Sequence, residues 1–225
     1  MNVAGAHDDA LAVLGRQAAA CTACPLAQGR QSVVFGEGDP HARLMLVGEA
    51  PGRQEDLQGR PFVGAAGQLL DRILEAVGIS RAEVFITNTV MCRPPHNRVP
   101  TDEERATCRP YFDRKMALIR PRIVVLLGAT AAQQVLGADV RITRDRGRPV
   151  ERDGVTYVPT FHPAALLRDP EKKRPVWQDM KRVRDLYRAL AVDPGTAPAA
   201  VDAGPAPARS PAQARLPLGP SLPGF

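Results

Sequence analysis

The stretch RLMLVGEAPGRQEDLQGRPFVGAAGQLL, from Arg43 to Leu70, decides the fold of this chain. It starts with four consecutive apolar residues, Leu44 to Val47, a pattern that is typical of a strand buried on both faces. The segment GEAPG (residues 48–52) then breaks the strand, and an acidic loop and the segment PFVG (residues 61–64) lead into a helix predicted from Ala65. A strand, a tight loop and a helix in this order form the edge at which open α/β sheets bind ligands.

Three more segments predict strands: residues 84–90, the apolar run at 123–127, and residues 155–161, the last with a hairpin partner near residues 148–151. Helices are predicted at about residues 1–20, 65–77, 129–136 and 176–190, and a capping box opens another at Thr101. The alternation of strands and helices over residues 43–190 predicts an α/β fold of three layers, αβα, with a central four-stranded, mainly parallel sheet.

The composition divides the chain at about residue 193. Residues 1–192 are predicted to form one domain, whereas residues 193–225 are rich in Pro, Ala and Gly and are predicted to be a disordered tail. The final segment LPGF (residues 222–225) is a candidate docking peptide.

The formal net charge is +6, and arginine is the dominant basic residue. This excess favours a polyanionic partner such as a nucleic acid, although a genome-wide preference for arginine would give the same composition. No run approaches the roughly 18 apolar residues of a membrane span, and the N-terminus lacks a basic-then-apolar signal segment. We therefore expect a cytoplasmic protein that does not enter a membrane.

Four cysteines are the candidate metal ligands: Cys21, Cys24, Cys92 and Cys108. Four thiolates suit either a tetrahedral zinc ion or an iron–sulfur cluster. Fifteen residues separate the second pair, which argues against a zinc ribbon, and Pro25 after Cys24 is typical of a cluster ligand. We predict an iron–sulfur cluster, with zinc or unliganded thiols as the alternatives.

Six segments resemble the motifs of one known family. They are GEAPG (48–52), ED (55–56), GRPFVG (59–64), TN (87–88), CRPP (92–95) and FHPA (161–164). Each is common alone, but the set in this order, with the four cysteines, resembles the family 4 uracil-DNA glycosylases over residues 15–190.

The resemblance implies a uracil-DNA glycosylase-like fold and a 4Fe–4S cluster held by the four cysteines. It implies a monomer that flips uracil out of single- or double-stranded DNA and hydrolyses its N-glycosidic bond, leaving an abasic site and initiating base-excision repair. Such an enzyme is expected at the nucleoid, and the tail peptide would dock on a repair or replication protein.

Three side chains suit the recognition and release of uracil. Phe62 offers a ring on which the flipped base can stack, unless it only packs in the core. The Asn88 amide can pair with O4 and N3–H of uracil, which cytosine presents in the reverse pattern, although Asn after a strand is often a turn former. His162 can donate to O2 as negative charge develops there, or it can be a structural turn histidine.

The sequence offers two candidates for the group that activates the attacking water. The best-known uracil glycosylases, of another family, have Asp where this chain has Ala50, so Glu49 and Glu55 are the candidate carboxylates. Glu55 can instead be a solvated loop charge. Backbone N–H groups at Glu49 and Ala50 are candidates to hold O2, and Asn97 to position water or the sugar-phosphate.

The segment after His162 is the candidate DNA-binding element. Leu166 or Leu167 can wedge into the gap that the flipped base leaves. Arg168 and the basic run at residues 172–174 can neutralise phosphates, or they can be solvated charges that cap helices.

Two rival functions remain at this stage. A related subgroup captures uracil-DNA covalently through a histidine in the loop after the third cysteine, where His96 lies, but that subgroup has Gln at the position of Ala50 and an Arg-rich insertion that is absent here. The other rival is an iron–sulfur redox or DNA-binding protein without glycosylase activity.

Overall fold

The computed structural model describes residues 3–192, and the side chains of residues 8–190. The predicted tail at residues 193–225 and its candidate docking peptide lie outside the described residues. The helices are α1 Val3–Ala19, α2 Leu26–Gly29, α3 Arg53–Gln58, α4 Ala65–Ala76, α5 Asp102–Ile119, α6 Ala129–Leu136, α7 Ile142–Asp145, α8 Pro163–Arg168 and α9 Lys173–Val192. The strands are β1 Glu37–Gly38, β2 Leu44–Gly48, β3 Phe85–Asn88, β4 Ile123–Leu127, β5 Val150–Arg152 and β6 Val155–Thr160.

The six strands form one sheet in the order β1-β3-β2-β4-β6-β5. The four inner strands run parallel, and β1 and β5 pair antiparallel at the two edges. The predicted four-stranded parallel core is therefore confirmed, with β5 as the expected hairpin partner of β6. The edge strand β1 was not expected, because a strand of two residues shows no periodicity.

Both faces of the sheet are covered, as the unbroken apolar strands require. On one face Leu44 and Leu46 pack with residues of α4, α8 and α9, and on the other Met45 and Val47 pack with residues of α5 and α6. This alternation establishes the three layers. No helix in residues 3–192 is long and apolar enough to cross a membrane.

The structure adds a helix to the expected acidic loop and contains the predicted capping box. The expected acidic loop contains α3, which ends at Gly59 (φ 68°), whose N–H donates to the carbonyl of Glu55 at 2.8 Å. Helix α5 begins with the predicted capping box: Thr101 Oγ1 accepts from Glu104 N at 3.2 Å, and Glu104 Oε2 accepts from Thr101 N at 2.8 Å.

Candidate active site

A cavity of about 650 Å³ opens where the four parallel strands end. The carboxyl ends of these strands meet at one edge of the sheet, which is where α/β folds place ligands. The predicted site residues that line this cavity are Glu49, Ala50, Glu55, Phe62, Asn88, Asn97, His162 and Arg168. The wall also includes Ile142 and Thr143 of α7, which no sequence motif marks because α7 is a four-residue helix of ordinary composition.

Asn88 is the last residue of β3 and is 2% exposed. Its Oδ1 atom is buried and has no hydrogen-bond partner among the described residues. Gly48 lies opposite it in the parallel pairing, and a Cβ there would come within 2.3 Å of Oδ1. The fold therefore leaves a buried, unsatisfied acceptor on a side chain that lines the cavity.

Phe62 lies beside Asn88 on the same wall. Its ring is 5.6 Å from the His162 ring, between centroids, with an angle of 30° between the planes. A Cβ at Gly48 would also come within 2.7 Å of Phe62 Cζ. Phe62 packs in the core and lines the cavity at once, so the two interpretations of this residue are compatible.

His162 is the N-cap of α8, two residues after the end of β6. Its Nδ1 accepts a hydrogen bond from the Ala164 N–H at 3.1 Å, so the proton of the neutral ring lies on Nε2. Burial lowers the pKa of His162 to about 4; the charge of Arg168 adds to the decrease, and Glu55 opposes it. At neutral pH the ring is therefore an uncharged N–H donor.

The two candidate carboxylates have different surroundings. Glu55 Oε1 accepts from the N–H groups of Val63 at 2.9 Å and Gly64 at 2.8 Å, and so holds the turn after Phe62. The Glu49 side chain has no hydrogen bond or ion pair within the described part of the chain, while its backbone carbonyl accepts from Val90 N at 3.0 Å. Of the two, Glu49 has the uncommitted carboxylate.

The loop between β3 and α5 closes one side of the cavity. Asn97 Oδ1 accepts from Arg93 Nε at 2.7 Å, which ties this side chain to its own loop. Arg98 makes two hydrogen bonds to Glu104, at 2.7 and 2.8 Å, and these lower the pKa of Glu104 to about 2. His96 is exposed and does not line the cavity.

The two leucines of α8 have opposite surroundings. Leu166 is 1% exposed and belongs to the core, so it is not available as a wedge. Leu167 is 48% exposed and is the remaining candidate. Arg168 and Lys172 both reach the cavity wall, and Lys173 and Arg174 are exposed nearby in sequence.

The four cysteines line one small cavity of their own, although they come from the end of α1, the exit of β3 and α5. Arg30 Nη1 donates to Cys92 Sγ at 3.3 Å, and Arg30 Nη2 donates to the carbonyl of Cys21 at 2.7 Å. Within residues 8–190, no three His, Cys, Asp or Glu side chains are arranged to hold a single metal ion. Four thiols around one cavity, with a cationic donor on one sulfur, supply a donor set whose chemistry suits an anionic metal–thiolate centre.

The fold and the site define a class of protein, and the comparisons agree with it. A family model described as the uracil DNA glycosylase superfamily matches residues 35–181. The chain is 42% identical over 186 residues to a type-4 uracil-DNA glycosylase of Thermotoga maritima, covering 81% of this chain and 97% of the relative. It is 42% identical over 179 residues to the type-4 enzyme of Archaeoglobus fulgidus, covering 76% and 90%. A type-5 uracil-DNA glycosylase of Thermus thermophilus is 36% identical over 118 residues, 46% of this chain and 53% of the relative. The chain belongs to the type-4 uracil-DNA glycosylase family.

Proposed function

We propose that this chain is a uracil-DNA glycosylase, which hydrolyses the N-glycosidic bond of uracil in DNA and so initiates base-excision repair. The observation that carries this proposal is the unsatisfied Asn88 Oδ1, which lies beside the Phe62 ring and the neutral His162 on one cavity wall. A base with an N–H donor, a flat face and an acceptor oxygen matches these three groups.

Recognition of uracil follows from the Asn88 amide. Oδ1 accepts the N3–H of uracil, and Nδ2 donates to O4. Cytosine presents an acceptor at N3 and a donor at N4. The amide oxygen would then face another acceptor, and the amide nitrogen would face another donor. Stacking on Phe62 contributes about 1–3 kcal/mol and offsets part of the cost of taking the base out of the duplex.

Bond cleavage is driven by charge stabilisation. The C1′–N1 bond breaks with its electron pair passing to the uracil ring, and the negative charge develops largely on O2. The Nε2–H of His162 donates to O2, with backbone N–H groups at Glu49 and Ala50 as further donors. A neutral histidine suits this role, because it can donate a hydrogen bond without giving up its proton.

Water completes the hydrolysis at C1′ of the cationic sugar. Glu49 orients this water, accepts its proton and stabilises the positive sugar, as carboxylates do in glycoside hydrolysis. Glu55 is the weaker candidate, because its Oε1 already accepts two backbone hydrogen bonds. Asn97 would contact the water or the sugar-phosphate from the loop side.

The DNA would cross the mouth of this cavity. Arg168, Lys172 and the adjacent Lys173 and Arg174 would neutralise phosphates, which makes binding weaker at high salt. Leu167 would fill the space of the flipped nucleotide. We propose a monomer that acts on chromosomal DNA, which places it at the nucleoid.

Cys21, Cys24, Cys92 and Cys108 would hold a 4Fe–4S cluster. Its contribution would be structural, since the hydrolysis transfers no electrons. Cys92 begins the loop that closes the cavity, and Cys108 lies in the helix that follows it, so their shared ligation would fix the position of that loop.

The test is a single-turnover assay on an end-labelled oligonucleotide with one uracil, followed by alkali, with a cytosine-only control. We expect strand cleavage at uracil alone, in single- and double-stranded substrates. No cleavage by cluster-loaded protein would overturn the proposal. The same samples on a denaturing gel would reveal a covalent adduct through His96, an outcome that the exposed position of His96 off the cavity wall disfavours.

A further inference from the structure

Phe62 has an unfavourable backbone conformation for a residue with a side chain. Its φ is 52°, in the left-handed region. The residue is confined between two glycines: a Cβ at Gly48 would come within 2.7 Å of the ring, and one at Gly67 within 1.9 Å of the Phe62 carbonyl oxygen. The surrounding structure must therefore hold both the ring and the carbonyl in place.

Arg81, in the turn Arg81–Glu83 before β3, binds this segment from outside the cavity. Its Nη2 donates to the carbonyl of Pro61 at 2.7 Å, and its Nη1 donates to the carbonyl of Phe62 at 3.3 Å. Two consecutive carbonyl groups of the strained segment thus share one guanidinium.

Two carboxylates fix the orientation of that guanidinium. Asp71 of α4 accepts from Nη1 at 2.6 Å, and Glu37 of β1 accepts from Nη2 at 2.9 Å and from Nε at 3.2 Å. The planar fork of an arginine can serve two carboxylates and two carbonyls together, which the ammonium of a lysine cannot.

The Phe62 segment is therefore held by opposite charges at its two ends. Glu55 accepts from the N–H groups of Val63 and Gly64 that follow Phe62, and Arg81 donates to the carbonyls of Pro61 and Phe62. Each charged side chain satisfies the backbone groups that the left-handed residue leaves without regular partners.

We propose that Arg81 is a positioning residue for base excision, which acts by holding the Phe62 ring at the angle that stacks on the flipped base. This inference rests on the proposed function. Arg81 itself touches no substrate, and its loss lets Phe62 relax toward the ordinary region of backbone conformation and away from His162.

The experiment compares Arg81→Met and Arg81→Lys with the matched control Arg60→Met. Arg60 pairs with the same Glu37, at 2.8 and 3.0 Å, but has no hydrogen bond to the carbonyls of Pro61 or Phe62 among the described contacts. We expect both Arg81 variants to reduce the single-turnover excision rate at least tenfold with little change in binding of uracil-free DNA, and Arg60→Met to stay within about twofold of the parent.

A double-mutant cycle tests whether Arg81 affects the excision rate through the Phe62 ring. In a Phe62→Ala background, Arg81→Lys should change the excision rate by less than about twofold, because the ring on which it acts is gone. Equal losses in the two backgrounds, or an unchanged rate for Arg81→Lys alone, would overturn the inference. If Arg81→Met fails to fold, Arg81→Lys carries the test, since it retains a charge between Glu37 and Asp71.

A readout without catalysis separates this inference from the proposed function. With 4-fluorophenylalanine at position 62, the parent protein should give one sharp ¹⁹F resonance, and Arg81→Lys should give a shifted or broadened one. An unchanged resonance refutes the positioning role even if the parent excises uracil. A changed resonance in an inactive parent would show that Arg81 holds the Phe62 ring, while the proposed function, and with it the role of Arg81 in excision, would fail.

Discussion

Asn88 has, at the scale of one residue, a buried acceptor that no described residue satisfies. A buried acceptor without a partner costs about 1–3 kcal/mol of folding free energy. The described residues supply no hydrogen-bond donor to Asn88 Oδ1, and a side chain at Gly48 would occupy the space in front of this atom. The fold thus retains a local instability that the bound base is suited to relieve.

The change Asn88→Ala should reduce uracil excision more than tenfold, because it removes the amide that we propose to pair with uracil. The melting temperature should stay the same or rise, since the unsatisfied oxygen is removed as well. Single-turnover kinetics and thermal unfolding of the same preparation measure both effects. Full activity of the variant would remove Asn88 from the mechanism.

His162 makes a second residue-scale prediction, on pH. Its folded-state pKa of about 4 lies below the ordinary value of 6.5, so folding favours the neutral ring. Excision should stay level from about pH 5 to 8 and decline as the pH falls through about 4. A decline centred near pH 6.5 would contradict a buried neutral histidine.

The same shift has a consequence for stability. The unfolded chain binds a proton at His162 more readily than the folded protein does. The contribution of His162 to the free energy of unfolding is therefore fully present above pH 6.5 and is lost as the pH falls toward 4, by at most about 3 kcal/mol. The variant His162→Gln should therefore show a flatter dependence of melting temperature on pH between 4 and 6.5.

At the scale of elements, α3 and the turn that follows it separate the roles of the two carboxylates. Glu55 lies in α3 and accepts backbone hydrogen bonds from residues 63 and 64. Glu49 lies in the loop after β2, and its side chain has no hydrogen bond or ion pair within residues 8–190. A structural acceptor can be replaced by an amide oxygen, but a proton acceptor cannot.

The change Glu55→Gln should accordingly retain excision within a few-fold, while Glu55→Ala loses much more. Glu49→Gln should lose at least tenfold. Single-turnover rates of the three variants at pH 7 show which of the two carboxylates activates the water. If Glu55→Gln were as inactive as Glu55→Ala while Glu49→Gln stayed active, the water-activating role would pass to Glu55.

Helix α8 offers a matched pair of leucines. Leu167→Ala should slow excision from double-stranded DNA more than from single-stranded DNA, with an unchanged melting temperature, because this side chain is exposed. Leu166→Ala should instead destabilise the protein by about 2–5 kcal/mol, since it creates a core cavity. Equal rates on duplex for Leu167→Ala and the parent would exclude the wedge.

At the scale of the whole molecule, the cysteine site connects parts of the chain that are far apart in sequence. It joins the end of α1, the loop after β3 and helix α5, beside the face of the sheet that α5 covers. A bound cluster would couple the position of the cavity loop to the global fold.

The change Cys92→Ala should abolish the visible cluster absorbance, lower the iron content and lower the melting temperature. The control His96→Ala lies in the same loop, is exposed, and should keep the colour and the excision activity. A stable, fully coloured Cys92→Ala protein would refute the assignment of the four ligands.

Much of the fold could be predicted because β2 and β4 are continuous apolar runs bounded by a glycine, and β3 and β6 are rich in β-branched and aromatic residues and end at a polar residue. The N-terminus of α5 could be predicted because a capping box is local in sequence. The two-residue strand β1 and helix α3 could not be predicted from the sequence. Strand β1 pairs with Phe85 and Ile86 through long-range hydrogen bonds, and helix α3 begins directly after a proline–glycine break.

The sequence by itself determined which groups line the two cavities: an amide at residue 88, a ring at residue 62 and a histidine at residue 162 in one, and four thiols in the other. Only the tertiary structure decided that Glu55 is committed to the backbone, that Leu166 is buried, and that the proton of His162 lies on Nε2. The physical reason is that composition and spacing specify chemical groups. Burial and hydrogen-bond partners depend on neighbours that folding brings from distant parts of the chain, as it brings Arg81 to the carbonyl of Phe62.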